Sequence, residues 1–288
     1  MGQFLYKGSK STPAGFTLVE LIVALAVALT VMGAVYSTYK AQQDSYIAQE
    51  QVAEMQENLR AALYVMAHEI RMAGFDPTGN ASATVVSAAD TSITFTQDIN
   101  DGIDTDSDGS TDEGDEAIAS DGDVADRNEN ITYTTAVVSG VPVLQRQDAF
   151  SGSSQTLAEY IDGLGFAYAF DNDLDGELDA SGGNVIWAID SDADGFLDLD
   201  LDSNGDGVIS AADDTDGNGT VDGTALTTLV PTSRIRAVRI WLLARTSRIS
   251  RDFTDANTYV VGDQITTPAD NNRRRLLSTT VKCRNMGL

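Results

Sequence analysis

The sequence predicts an α+β fold: one long N-terminal helix packed on an antiparallel β-sheet, with acidic loops inserted between strands. Three observations carry this reading. Apolar residues run almost unbroken from Phe16 to Tyr36, then recur every three or four positions as far as Ala73. Beyond Phe75 the pattern changes to short alternating and aromatic segments, the mark of strands. Two stretches, at about 98–129 and 171–223, are rich in aspartate and glycine and read as loops.

The chain has 288 residues, room for one well-cored domain with extra elements or for two small ones. Its net charge is −26, unevenly spread. Of 44 acidic residues, 13 fall between Asp98 and Glu129 and 16 between Asp171 and Asp222, whereas 11 of the 18 Lys and Arg lie from Arg234 onward. Segregation of this kind suits cation-binding acidic loops on a more neutral body. It excludes nucleic acid as an expected partner, because phosphate binding needs clustered positive charge. Cys283 is the single cysteine and has no partner for an internal disulfide, so an exported domain would need another staple for its loops.

Residues 1–15 are short and polar, with Lys7 and Lys10. The apolar run that follows is long enough to span the roughly 30 Å of a bilayer core. Basic residues ahead of it favour a cytoplasmic N-terminus and an exported remainder. A general secretory signal places its small-residue cleavage site after the apolar run; here Ala14-Gly15 precedes it. Glu20 lies inside the run, and a carboxylate at the centre of a membrane helix costs about 2.5–3.5 kcal/mol, less near an end. It calls for a partner.

The run Gly15-Phe16-Thr17-Leu18-Val19-Glu20 resembles the cleavage and methylation motif of type IV pilins and pseudopilins. The resemblance implies that a prepilin peptidase cuts between Gly15 and Phe16 and that Phe16 becomes N-methylated. It also implies that Glu20 pairs with the N-terminal ammonium of a neighbouring subunit during assembly. The bland alternative is an ordinary single-span anchor with an accidental glutamate.

Past Tyr36, Val52, Met55, Leu59, Leu63, Met66, Ile70 and Ala73 form one helical stripe, and Gly74 with Asp76-Pro77 is a stop signal. A helix from Phe16 to Ala73 would be roughly 85 Å long at 1.5 Å per residue. The expected organisation is a leader over 1–15, a helix over 16–74 whose first part, 16–36, lies in membrane or filament core, and an exported β-rich domain over 75–288. Asn58 to Leu63, Glu69 to Phe75, and the closing segment from Arg273 to Asn285 are similar to PilW-type minor pilins, with J-type pseudopilins of type II secretion similar in plan. Strands are expected at Thr91–Thr96, Asn130–Val138, Val141–Gln145, Leu164–Phe170, Ile235–Ala244 and Leu276–Cys283, with Ser139-Gly140 as a hairpin turn.

The acidic loops carry the second chemical signal. Calcium loops of the EF-hand kind place side-chain oxygens at positions 1, 3 and 5, glycine at 6, a backbone carbonyl at 7 and further oxygens at 9 and 12. Asp202, Asn204, Asp206, Gly207, Val208, Ser210 and Asp213 match best, with Asp rather than Glu at the end. Asp104, Asp106, Asp108, Asp112 and Asp115 fill the oxygen positions of a second loop. Asp171, Asp173, Asp175 and Asp179, and likewise Asp190, Asp192, Asp194 and Asp198, match all but the last position. Asp214, Asp216, Asn218 and Asp222 form a fifth, partial copy. Structural calcium is the expected cofactor; a solvated acidic insertion is the bland alternative.

Nothing in the sequence points to catalysis. His68 is the single histidine and has no nucleophile paired with it, Cys283 has no histidine near it, and no phosphate-binding glycine loop, CxxC or GxSxG occurs. Phe166, Tyr168, Phe170 and Trp241 read as core, and Arg273-Arg274-Arg275 as facing an acidic partner or this chain's own acidic loops. The expected function is a minor pilin, structural in type IV pilus assembly, initiation or tip, with a calcium-stabilised head. Its partners would be other pilins, the prepilin peptidase and the inner-membrane assembly machinery. It would be a single-pass inner-membrane protein with a periplasmic C-terminal domain before reaching the pilus and cell surface. The rivals are a type II secretion pseudopilin and a membrane-anchored calcium-binding adhesin.

Overall fold

A computed structural model of the chain describes residues 15–99 and 122–287. Two bodies are distinguished, one ending at Glu50 and one beginning at Gln51. Helix α1 (Leu18–Ile70) is continuous over 53 residues. Within the first body, every side chain from Leu18 to Tyr36 is exposed, so its apolar surface is uncovered among the described residues of that body. This segment is long and apolar enough to cross a membrane.

Within the second body α1 buries Met55, Leu59, Leu63, Met66 and Ile70 of the stripe that the spacing predicts, with Ala62 beside them and Val52 half-buried. The helix stops through a turn in which Ala73 N–H donates to the Ile70 carbonyl and Gly74 takes a φ of +77°. That left-handed conformation admits glycine readily and larger residues poorly.

The strands form two principal antiparallel sheets rather than one. The first holds β1 (Val85–Ala88), β2 (Ile93–Thr96), β3 (Asn130–Val138), β4 (Val141–Asp148) and β5 (Ser153–Glu159), in sequence order. Ser139-Gly140, with φ of +52° and +82°, turns β3 into β4, as two-residue hairpins of the primed type require. After β6 (Ile161–Phe170) come the small ribbon β7 (Ala180–Ser181) and β8 (Asn184–Val185), then β9 (Ala188–Ile189), β10 (Phe196–Asp200), β11 (Thr224–Pro231) and β12 (Ile235–Arg245). The chain closes with the hairpin β13 (Tyr259–Val261) and β14 (Gln264–Thr266), then β15 (Arg274–Lys282). The second sheet has the order β11-β10-β9-β6-β12-β15.

Strands β6 and β12 pair over nearly their full length, setting Tyr168 opposite Val238 and Phe166 opposite Ile240. Phe166, Tyr168, Phe170 and Trp241 are buried, as expected of core. The Tyr168 hydroxyl donates to the carbonyls of Ala89 (3.0 Å) and Ser92 (3.3 Å), tying the second sheet to the β1–β2 turn. Three residues earlier in β6, Gly165 admits the β13–β14 hairpin: a Cβ there would stand 2.5 Å from the Gly262 nitrogen.

The predicted strands coincide with β2, β3, β4, β6, β12 and β15. Strands β1, β5, β7 to β11, β13 and β14 have no counterpart among the predicted ones. β5 is polar and largely exposed and β9 has two residues, while β10, whose Leu197 and Leu199 alternate with aspartates, and β11 border aspartate loops whose composition reads as loop.

Candidate functional site

Two sets of residues qualify as functional, and each is built by local sequence. The first is the start of α1. Phe16 is 90% exposed. Thr17 and Glu20 form a reciprocal cap: the Thr17 backbone N–H (3.2 Å) and hydroxyl (3.3 Å) donate to Glu20 Oε2, while Glu20 N–H donates to Thr17 Oγ1 (3.2 Å). This is the capping-box arrangement, whose sequence signature is Ser or Thr followed three residues later by Glu. That signature stands plainly in Thr17-Leu18-Val19-Glu20, and Thr17 was the functional residue overlooked. The carboxylate of Glu20 remains exposed and able to meet a second chain.

The second set is the acidic loops. The loop built on Asp104, Asp106, Asp108, Asp112 and Asp115, like the leader before Gly15, lies outside the described residues. The other four share one conformation. In each, the glycine N–H at position 6 donates to the position-1 carboxylate: Gly176 to Asp171 (3.2 Å), Gly195 to Asp190 (2.9 Å), Gly207 to Asp202 (2.7 Å) and Gly219 to Asp214 (3.1 Å). The position-7 N–H donates to the position-5 side chain: Glu177 to Asp175, Phe196 to Asp194, Val208 to Asp206 and Thr220 to Asn218, all at 2.8–2.9 Å. The position-5 N–H in turn donates to the side chain at position 3, at 2.9–3.3 Å. All four position-6 glycines have φ between +86° and +90°. Alternating acceptor side chains turn the backbone N–H groups inward and aim the remaining oxygens at one point.

The loops differ in which carboxylates they gather. Asp171, Asp173 and Asp179 bring oxygens within 4.8 Å of one another, and so do Asp190, Asp192 and Asp194. Asp214, Asp216 and Asp222, from the partial copy, do the same. Asp175 is outside its trio, and Asp198 accepts from Ser191 N–H (2.9 Å) and Oγ (2.7 Å). In the Asp202 loop no such trio of carboxylates forms among the described residues; Asn204 takes the third place. Asp213 is fully buried there. Its Oδ1 accepts from Ser203 Oγ (3.1 Å) and Asn204 N–H (3.2 Å), and its Oδ2 from Ser210 N–H (2.9 Å). It clasps the loop and caps the short 3-10 helix Ala211–Asp213. One further trio, Asp123, Asp126 and Glu129, was not foreseen; its only signal is an acid at every third position.

Electrostatics follow from this crowding. Burial, with the neighbouring Asp173, Asp171 and Asp175, pushes the Asp179 carboxyl above its ordinary range, against the pull of the Asn172 N–H. Burial pushes Asp200 up as well, with Asp202 and Asp213 adding to it. Asp222 is held low because it accepts from the Thr215 hydroxyl and backbone. The donor sets are all oxygen and mostly anionic, which suits a hard divalent cation such as Ca²⁺.

The remaining candidates resolve as structure. His68 is an exposed surface residue beside Tyr64. Cys283 is buried, and burial pushes its thiol up to about 12, so it is inert. Arg274 meets Asp162 (2.8 Å), Asp270 (2.6 Å) and the buried Asp255 (3.5 Å), and Arg273 stacks on Phe253. Acids of this chain therefore do engage Arg274, but they lie outside the aspartate loops.

A long helix opening on an exposed glutamate and an apolar membrane-length face, followed by antiparallel sheets, defines a pilin-type subunit. Residues 10–36 match the model of the prokaryotic N-terminal methylation motif. Residues 131–285, more than half of the chain, match the model of the Type IV Pilus-assembly protein W family, PilW, and the chain belongs to that family. The solved structure of the type IV-like pilin TTHA1219 from Thermus thermophilus is similar at 13% identity, with a TM-score of 0.37, over 80% of this chain and 97% of that one. No curated protein sequence matches this chain.

Proposed function

We propose that this PilW-family pilus-assembly protein is a minor pilin with a calcium-stapled head, acting structurally and not as an enzyme. The peptidase cuts between Gly15 and Phe16, Phe16 is methylated, and the apolar part of α1 anchors the subunit in the inner membrane with its β-rich body in the periplasm. Glu20 pairs with the ammonium of a neighbouring pilin on entry into the filament. A bulky head with long loops fits a tip or initiation complex better than every position along a thin fibre.

The observation that carries the calcium reading is the shared conformation of the four described aspartate loops, in three of which a trio of carboxylates converges with no ion pair to a cationic side chain. Like charges this close repel, and a divalent cation replaces that repulsion with coordination. At 1 mM calcium and a dissociation constant near 10⁻⁴ M, one site would add about 1.4 kcal/mol. Full-length protein in detergent is expected to melt several degrees higher in millimolar Ca²⁺ than in EDTA; equal melting temperatures would end the calcium reading. Mass spectrometry of sheared filaments tests the rest. A low-abundance chain beginning at methylated Phe16 is expected, whereas a processed chain confined to the inner membrane would favour a secretion pseudopilin.

A further inference from the structure

We infer that, among the four described aspartate loops, the loop of Asp171, Asp173 and Asp179 is the primary calcium site, the one that fills first and whose cation supports the second sheet, although the Asp202 loop is the better match by sequence. This rests on the calcium reading above and adds to it an order among the loops.

Asp171 follows directly on Phe170, the last residue of β6, and is 1% exposed. Its Oδ2 accepts from Gly176 N–H, but its Oδ1 is buried and has no hydrogen-bond partner. A carboxylate oxygen withdrawn from water and left unpaired is destabilising, more so than a neutral group. Arg236, whose field reaches Asp171, does not supply the missing partner. Its Nη1 donates to the carbonyls of Ser233 (3.0 Å) and Ile235 (3.1 Å), and it makes no ion pair with Asp171. A cation held by Asp171, Asp173 and Asp179 satisfies that oxygen, and binding there gains the relief of a strained charge as well as coordination.

The other three loops among the described residues lack this driving force. Both oxygens of Asp190 accept, from Asp194 N–H (3.2 Å) and Gly195 N–H (2.9 Å). Asp202 accepts from Gly205, Asp206 and Gly207, and its loop is already closed by Asp213. Both oxygens of Asp214 accept as well, from Gly217, Asn218 and Gly219. The Asp171 loop is also tied to the centre of the sheet. Asp171 N–H donates to the Arg234 carbonyl just before β12, and Asp179 N–H to the Phe170 carbonyl of β6. A cation there braces the β6–β12 pair, while one in the Asp202 loop braces the β10–β11 connection and its contact with Asn184 of β8.

Calcium titration of the full-length, calcium-stripped protein in detergent micelles, by calorimetry and by melting temperature, tests this. Asp173 is exposed, so Asp173→Asn is expected to fold, and Asp171→Asn is its harsher companion. The expected result is that Asp173→Asn weakens the tightest site at least tenfold and removes most of the calcium-dependent rise in melting temperature. Asp202→Asn should leave that site within about twofold. If Asp202→Asn abolishes the tightest site and Asp173→Asn does not, the order is overturned while the calcium reading stands. If the wild-type protein binds no calcium at millimolar concentration, both fall together.

Discussion

Gly74, just past the end of α1, lies against Met286 near the C-terminus: a Cβ on Gly74 would overlap the Met286 sulfur. Beside this contact, Asn285 Nδ2 donates to the carbonyls of Arg71 (3.5 Å) and Met72 (3.4 Å), the latter also accepting from Phe75 N–H (2.9 Å). The C-terminal segment thus closes the end of α1, and the two stretches that most resemble PilW-type proteins meet in space. Gly74→Ala is expected to lose about 1–3 kcal/mol from the left-handed backbone, with the Met286 overlap added. Gly79→Ala, also at positive φ (+72°) but with nothing within 4 Å, should lose only the backbone part. Denaturation midpoints check both, and adding Met286→Ala to Gly74→Ala should recover part of the loss.

Glu69 on α1 is the chief polar tie between the helix and the first sheet. It accepts from Arg146 Nε (2.9 Å) and from the Tyr133 hydroxyl, and Arg146 Nη2 donates to Asn128 Oδ1 (2.9 Å). Burial, reinforced by Glu69, pushes the Tyr133 hydroxyl well above the usual tyrosine range, so it stays protonated and donating. Arg146→Met leaves a half-buried carboxylate without its cation and should destabilise by roughly 1–3 kcal/mol. Tyr133→Phe, which removes one bond and keeps the ring, should lose less. Urea unfolding of both variants measures the difference.

Asp263, in the β13–β14 turn, gives a pH dependence. Burial and the neighbouring Asp90 carboxylate push it up to about 6. Its folded value lies above the roughly 3.9 of an unfolded aspartate. The folded state therefore holds a proton that the unfolded state has released between these values. Its contribution to stability is greatest below about pH 4 and falls as pH rises through about 6. Asp263→Asn should flatten that part of the stability profile and make the protein more stable than wild type at pH 7. Melting temperature from pH 4 to 7 is the measurement, and an unchanged slope would sink the idea.

The cap at the start of α1 predicts a division of labour between Thr17 and Glu20. Thr17→Ala removes the hydroxyl that receives the Glu20 N–H and should loosen the first turn by about 1 kcal/mol. Faster amide exchange at Glu20 in detergent micelles would show it. Glu20→Gln keeps a side-chain acceptor for the Thr17 N–H but removes the charge. It should leave the helix start nearly intact while reducing recovery of the protein in sheared filaments.

The helix, its anchor and the acidic loops were legible because their signals are local. A 3.6-residue stripe, an apolar run and a DxDxDG turn are each complete within a dozen or two residues, and burial of Met55 through Ile70 followed the spacing. The aromatic core of β6 and its partner β12 also stood out, because β-branched, aliphatic and aromatic residues concentrate there. The two-sheet layout did not. It depends on β6 pairing with β9 and β12, partners separated by long loops, and on Gly165 making room for a hairpin almost a hundred residues further on.

By itself, then, the sequence determined that this chain carries a pilin-type N-terminal helix, a β-rich body and aspartate loops with calcium-type spacing. Only the tertiary structure decided which charges are paired. It gave Arg274 to Asp162, Asp255 and Asp270, buried Asp213 with donors on both of its oxygens, and left one oxygen of Asp171 buried without a partner. The reason is physical. Loop geometry is set by neighbours in sequence, but desolvation and ion pairing are set by whatever the fold brings against a side chain, and that is non-local.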